Sequence, residues 1–162
     1  MDWNDKKIAS KGKPVIIASG ASDIEEVITA MNALSEFDIP KVLMQCNTNY
    51  TADNENFKYI NLNVLKTFSV LFPNIVLGLS DHTFGHLSVL GAVSLGAKVV
   101  EKHFTSDQNL PGRDNKFALL PNQFKQMTEY FDEAISACQF LGVGAQNSEK
   151  DIIDNYRGRW GG

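Results

Sequence analysis

The chain has 162 residues, of which 43% are hydrophobic and 21% charged: enough for one globular domain with its own core, and not the composition of a disordered or fibrous protein. A formal net charge of -4 with no basic stripe argues against binding a nucleic-acid backbone or an anionic membrane surface, leaving small-molecule chemistry or a protein partner. No stretch reaches the ~18 consecutive apolar residues of a membrane span, and Met1-Asp-Trp-Asn-Asp-Lys-Lys lacks an apolar signal core, so the cytoplasm is the expected location.

Residues 1–12 show no decided pattern. From there a short β-rich run followed by a helical pattern occurs four times, with strands starting at Pro14 to Ala18, Lys41 to Cys46, Ile75 to Leu79 and Lys98 to Glu101. Alternating strands and helices require a parallel sheet covered by helices, so the fold class is α/β. The first helix is expected from a capping box at Ser22-Asp-Ile-Glu25, leading into Val27, Ile28, Met31 and Leu34. A second spans Leu62 to Phe72 and stops before Pro73, and a third carries Leu87, Leu90 and Leu95 and ends at Gly96. The fourth starts near Pro121 and presents Phe124, Met127, Phe131, Ala134, Cys138 and Leu141 along one face. Residues 13–145 thus form the expected folded unit, and 146–162, polar and without a convincing period, read as a linker or tail. Cys46 falls in a strand and Cys138 in a helix, without metal-type spacing, and both read as reduced core thiols.

Chemistry is expected where strands end. His82 closes Ile75-Val-Leu-Gly-Leu-Ser-Asp-His82 and His103 closes Lys98-Val-Val-Glu-Lys-His103, with one helix between them. In a right-handed strand, helix, strand unit the two strands lie parallel, so both histidines emerge on one edge of the sheet. Two neutral imidazoles suit a divalent metal, with further positions filled by water, carboxylate or substrate; the 21-residue spacing fits hydrogen-bonded strand-end histidines equally well. Strand alternation puts Ser80 and Gly78 on the side of His82, and Glu101 and Val99 on the side of His103. Asp81, of opposite parity, suits either a supporting contact or a cap of the next helix, and His86 reads as a surface residue.

Two long loops follow strand ends, Asn47 to Asn61 and Phe104 to Leu120, and both should border the same pocket. In them Thr48 offers a hydroxyl to an anion and Asp114 a carboxylate to sugar hydroxyls or to a proton transfer, although both types are ordinary turn residues. The glycines form neither a dinucleotide fingerprint nor a Walker loop, and no serine-hydrolase elbow occurs.

Lys13-Pro-Val-Ile-Ile-Ala-Ser-Gly20, Gln45-Cys-Asn-Thr-Asn-Tyr50, Gly78-Leu-Ser-Asp-His-Thr83, Glu101-Lys-His-Phe-Thr105 and Leu110-Pro-Gly-Arg-Asp114 occur in this order. Together they resemble the sialic acid synthase family, which includes N-acetylneuraminate, legionaminate and pseudaminate synthases and spore-coat polysaccharide synthases, over about residues 13 to 145. The resemblance implies a TIM-barrel enzyme that condenses phosphoenolpyruvate with an N-acetylated aminosugar such as N-acetylmannosamine, using a divalent metal, typically manganese. By the same resemblance His82 and His103 match the metal ligands, Ser80 and Thr48 match contacts to phosphoenolpyruvate, and Asp114 matches the aspartate that binds the aminosugar.

The sequence departs from the family pattern at Ala18, where a phosphoenolpyruvate-binding serine is common, at Gln45, where a histidine is frequent, and at Thr51, where a proline is frequent. The matching region begins at the family's fifth barrel strand, so the expectation is a half barrel of about four βα units, without the phosphate-binding lysines and the glutamate of strands one to four. Such a half barrel has two open sheet edges and an apolar inner face, which a second copy or the missing amino-terminal half would cover. Two functional readings follow: a sialic acid synthase-like enzyme incomplete on its own, or a non-catalytic half barrel serving as an assembly module.

Overall fold

The computed structural model describes residues 2–156, with side chains from residue 6 onward. Four strands form one parallel sheet: β1 (Val15–Ala18), β2 (Lys41–Cys46), β3 (Val76–Asp81) and β4 (Val99–Lys102), in spatial order β1-β2-β3-β4. Each neighbouring pair is consecutive in sequence, so the sheet winds in one direction, with helices α2 (Ile24–Ser35), α3 (Val64–Leu71) and α4 (Leu87–Ser94) as crossovers and α5 (Pro121–Ala137) after β4. This is an α/β half barrel, as expected. The undecided opening forms helix α1 (Asp2–Ala9), which packs beside α2 and is tied to it by Lys6 Nζ to Glu36 Oε1 at 2.8 Å. Among the described residues no helix is long and apolar enough to cross a membrane.

Strand alternation divides the sheet into two faces. Val15, Leu43, Leu77 and Leu79 point toward the helices and form the main core with Val27, Met31, Leu34, Leu65, Phe68 and Ala92. The other parity, Ile16, Met44, Val76, Gly78, Ser80 and Glu101, forms the concave face, where Ile16 is 55% and Val76 42% exposed. Pairing tightens near its centre: a Cβ on Gly78 would come within 2.7 Å of both Met44 Cγ and the Val99 carbonyl, so only glycine lets these strands lie together. A groove of about 410 Å3, lined in part by Ile8, Ile16, Ala18 and Glu26, runs beside the open edge at β1.

Helix boundaries follow local chemistry. The capping box of α2 lies one residue later than expected: Asp23, not Ser22, accepts the Glu26 amide at 2.9 Å, and Glu26 Oε2 accepts the Asp23 amide at 3.0 Å. Helix α4 ends in a Schellman motif, with Gly96 at φ 97°, its amide donating to Val93 O and that of Ala97 to Ala92 O. Pro121 opens α5, whose buried stripe is shorter than expected: Val89, Leu119 and Met127 form a small second core flanked by Phe124 and Phe131, whereas Cys138 and Leu141 are exposed. Cys138 is therefore a surface thiol rather than a core one. Residues 147–156 form a 3-10 turn and helix α6 (Lys150–Tyr156) with no buried residue, and 157–162 of the expected tail lie outside the described residues.

The two faces make a stability prediction. Leu79→Ala removes a side chain of 0% exposure and should lower the unfolding free energy by about 2–5 kcal/mol, whereas Ile16→Ala on the concave face should change it by no more than about 0.5 kcal/mol. Urea unfolding of both variants checks this, and equal losses would contradict the division.

Candidate active site at the carboxyl ends of β3 and β4

The two histidines are brought together as the strand geometry requires. His82 follows the last residue of β3 and His103 the last of β4, and their ring centroids lie 5.1 Å apart at an interplanar angle of 51°. His82 is buried and His103 half-buried. Nδ1 of His82 lies 2.8 Å from the Asn47 carbonyl, which can only accept, so Nδ1 carries a proton and, in the neutral ring, the lone pair sits on Nε2. Nδ1 of His103 lies 3.8 Å from Asp114 Oδ2, which brings the expected aspartate to the same site from the loop after β4.

The other expected residues are distributed around this pair. Ser80 is buried on the concave face and donates to Glu101 Oε1 at 3.0 Å, so the two residues of matching parity meet across the β3–β4 ladder. Thr48 lies at the β2 end, exposed, its methyl group so near the β1 loop that a Cβ on Gly20 would come within 2.5 Å of it. It makes no contact with the histidines among the hydrogen bonds and ring contacts of the described residues. Ala18 is exposed on the concave face, while Ser19 points the other way and donates to Gln45 Oε1 at 3.0 Å; Gln45 in turn donates to the Ile60 carbonyl at 3.0 Å. The serine beside Ala18 is thus committed to holding the loop after β2. His86 is half-buried before α4, its ring 4.8 Å from that of Tyr130.

Several residues the sequence reading passed over complete the site. Tyr50 lies over His82 with centroids 4.3 Å apart and edges His103 at 6.2 Å. Phe117, 1% exposed, closes the other side at 5.3 Å from His103 and 6.0 Å from His82. The available signal for Tyr50 was an aromatic residue in the polar loop just after β2, and for Phe117 the short apolar run 117–120 that closes the polar loop after β4. The loop that delivers Tyr50 is stitched by its own polar groups: Asn47 Nδ2 donates to Tyr59 O at 2.7 Å, and Thr51 Oγ1 to Asn56 Oδ1 at 2.9 Å. Behind the histidines, on the helix side, Asp81 and Lys102 form a fully buried ion pair at 2.7 Å. Asp81 Oδ1 also accepts the Thr83 amide at 2.9 Å and hydroxyl at 2.8 Å, and Lys102 Nζ also donates to the Thr83 carbonyl. Of the two roles open to Asp81, the structure therefore shows a supporting contact. A lysine at the helix-facing parity of a short strand was the sequence signal.

Burial and neighbouring charge bias these groups. Burial pushes the Lys102 ammonium down, against the opposing pull of Asp81. Burial likewise raises the Cys46 thiol, a hydrogen bond with Ser80 working against it and the carboxylates of Glu101 and Asp81 adding to the rise. The Tyr50 phenol is raised first by burial and then by neighbouring negative charge, including Asp114 and Glu101. As a metal site the arrangement offers two imidazoles, one with its tautomer fixed by a backbone carbonyl in the manner usual for a ligating histidine. Among the described residues no group of three or more His, Cys, Asp or Glu side chains is set to hold a metal ion, so the donor set fits a metal only as a partial one.

The contrast between the two cysteines is measurable. Exposed Cys138 should react with iodoacetamide well before buried Cys46, and the Cys46 rate should keep rising above the pH of about 8.5 where an ordinary thiol is half ionised. Peptide mass spectrometry over a pH series reads both, and equal labelling at neutral pH would contradict the placement of Cys46.

Comparison with known proteins places this geometry. The chain is 37% identical over 154 residues to the spore coat polysaccharide biosynthesis protein SpsE of Bacillus subtilis, covering 94% of this chain and 40% of that one. It is 34% identical over 149 residues to a pseudaminic acid synthase of Campylobacter jejuni, covering 91% of this chain and 41% of that one. The crystal structure of N-acetylneuraminic acid (sialic acid) synthetase from Leptospira borgpetersenii in complex with citrate matches with a TM-score of 0.82 at 25% identity, over 93% of this chain and 52% of that one. The chain thus spans about two fifths of these curated relatives' length. With residues 6–143 matching the NeuB family, the chain belongs to that family.

Proposed function

We propose that this chain supplies the half of a synthase barrel carrying the paired histidines, in an enzyme that condenses phosphoenolpyruvate with an N-acetylated aminosugar to a nine-carbon sialic acid and releases phosphate. The observation that supports the reading most is the His82–His103 pair, 5.1 Å apart at the strand ends, with the His82 tautomer fixed by Asn47 O and Asp114 beside His103. The names of the relatives, a pseudaminic acid synthase and a sialic acid synthetase among them, favour the same chemistry.

In this reading His82 and His103 would hold a divalent ion, manganese in the first instance, which when bound would polarise the aminosugar aldehyde as a Lewis acid. Asp114 accepts hydrogen bonds from sugar hydroxyls, and its place in the loop after β4 lets it reach a substrate lying over His103. Ser80 and Thr48 bind phosphoenolpyruvate, and Tyr50 and Phe117 wall the site against water. The C2=C3 π pair of phosphoenolpyruvate forms a bond from C3 to the aldehyde carbon as the aldehyde C=O pair moves to its oxygen; water adds at C2 and its protons pass to that oxygen and to the departing phosphate as the C2–O bond to phosphate breaks, leaving a hydroxyl and a 2-keto acid. In this reading phosphate-binding cations and further metal ligands come from outside the described residues, because among them the two histidines make only a partial donor set. Small-molecule substrates, a soluble cytoplasmic setting, and a homodimer or a complementary barrel half are the matching partners and location.

The test is the purified chain, alone and mixed with a complementary amino-terminal barrel half, assayed for manganese binding by calorimetry and for phosphate release with phosphoenolpyruvate and N-acetylhexosamines. The mixture should form a nine-carbon acid by mass spectrometry, and His82→Ala or His103→Ala should abolish both metal binding and turnover. Absence of metal binding and of product in every combination would sink the catalytic reading. A stable dimer by light scattering with neither property would favour the second reading, an assembly module, which the exposed Ile16 and Val76 of the concave face also suit.

A further inference from the structure

Asp81 and Lys102 are Cα partners in the β3–β4 register, and each immediately precedes one of the two histidines. Their charged groups meet at 2.7 Å with both side chains at 0% exposure, on the face of the sheet opposite the one to which Ser80 and Glu101 belong. Both carboxylate oxygens are engaged: Oδ2 takes Lys102, and Oδ1 takes the amide and hydroxyl of Thr83, whose hydroxyl lies 3.0 Å from Ser88 Oγ at the start of α4. Lys102 Nζ also reaches the Thr83 carbonyl, so its ammonium grips the backbone on the far side of His82. His82 is therefore bracketed, with Asp81 before it and Thr83 after it held by the same lysine, and that lysine adjoins His103.

Two buried charges in place of two apolar side chains are an expensive way to join two strands that backbone hydrogen bonds already join. What the pair adds is a fixed geometry at the rung before the histidines, where ladder pairing ends with Asp81 and Lys102. We propose that the Asp81–Lys102–Thr83 network is a positioning device that sets the separation and orientation of the His82 and His103 rings. The inference rests on the metal-holding reading of the two histidines only for its consequence in affinity; the ring geometry itself is independent of it. Asp81 and Lys102 are positioning residues, since both point away from the site.

The experiment compares the whole chain with Lys102→Met and with the double variant Asp81→Asn/Lys102→Met. The double variant leaves no buried charge and so guards against simple unfolding. In the wild-type chain, nuclear Overhauser contacts between the His82 and His103 rings and a protonated His82 Nδ1 are expected; in folded variants the ring contacts should weaken or vanish. Cobalt(II) titration should then show affinity at least about ten-fold lower and an altered visible d–d spectrum. Folded variants that keep both the ring contacts and the wild-type cobalt spectrum would overturn the proposal. If the wild type binds no cobalt while its ring contacts still depend on the network, the metal reading fails and the positioning role stands.

Discussion

The structure depends on the register of β3 against β4. Parallel pairing sets Gly78 beside Val99, Ser80 beside Glu101 and Asp81 beside Lys102, and the same alignment carries His82 and His103 out of the ladder side by side. A slip by one residue would turn every side chain of one strand to the opposite face, placing Asp81 over the concave surface and burying Ser80 against α4. Two polar contacts on opposite faces make that slip costly: Ser80 to Glu101 on the concave side and Asp81 to Lys102 on the helix side. The apolar core alone would resist it less, because Leu77 and Leu79 could trade places with other apolar groups, whereas a stranded buried charge has no partner elsewhere.

The second constraint is the sheet's unequal faces. Parallel sheets occur with both faces covered, yet here the helices shield one face and leave Ile16 and Val76 largely exposed on the other. Polar residues of the concave face gather toward the strand ends, where Ser80, Glu101 and the histidines lie, while the apolar ones sit lower in the strands. That gradient is the arrangement of a barrel interior, packed below and reactive at the mouth, and it agrees with the match to a sialic acid synthetase structure at a TM-score of 0.82.

Much of this was legible in the sequence because hydrophobic runs bounded by turn residues reflect burial directly. Three strand starts fell within one residue of those observed, and β2 matched at both ends, but β3 runs two residues beyond the expected Leu79 because polar Ser80 and Asp81 are satisfied inside the sheet. Periodicity overstated α5: Cys138 and Leu141 continue the helical stripe in sequence, but the second core ends near Phe131, so nothing remains for them to pack on. The sequence allows the capping box at two adjacent positions, because Ser22 and Asp23 are both good caps and Glu25 and Glu26 both good partners; only backbone geometry selects Asp23 and Glu26. Helix α1 has too weak an apolar pattern to announce itself, and it is held by Ala9 in the core and by an ion pair to α2.

The least legible part of the site is carried by backbone atoms. The carbonyl of Asn47 fixes the His82 tautomer and the carbonyl of Thr83 receives Lys102, and neither depends on the side chain that names the residue. A backbone acceptor leaves no residue-type signature, so the sequence shows an Asn-rich turn where the structure has a histidine orienter. What the sequence can carry is the set of side chains that hold those carbonyls in place. Asn47 Nδ2 bonded to Tyr59 O, Thr51 bonded to Asn56, and Asp81 bonded twice to Thr83 are such side chains. The polar density of the 47–61 loop and of Ser80 to Thr83 is therefore more than solubility or turn preference. It is the scaffold that aims two main-chain oxygens, one at a histidine and one at the lysine behind it.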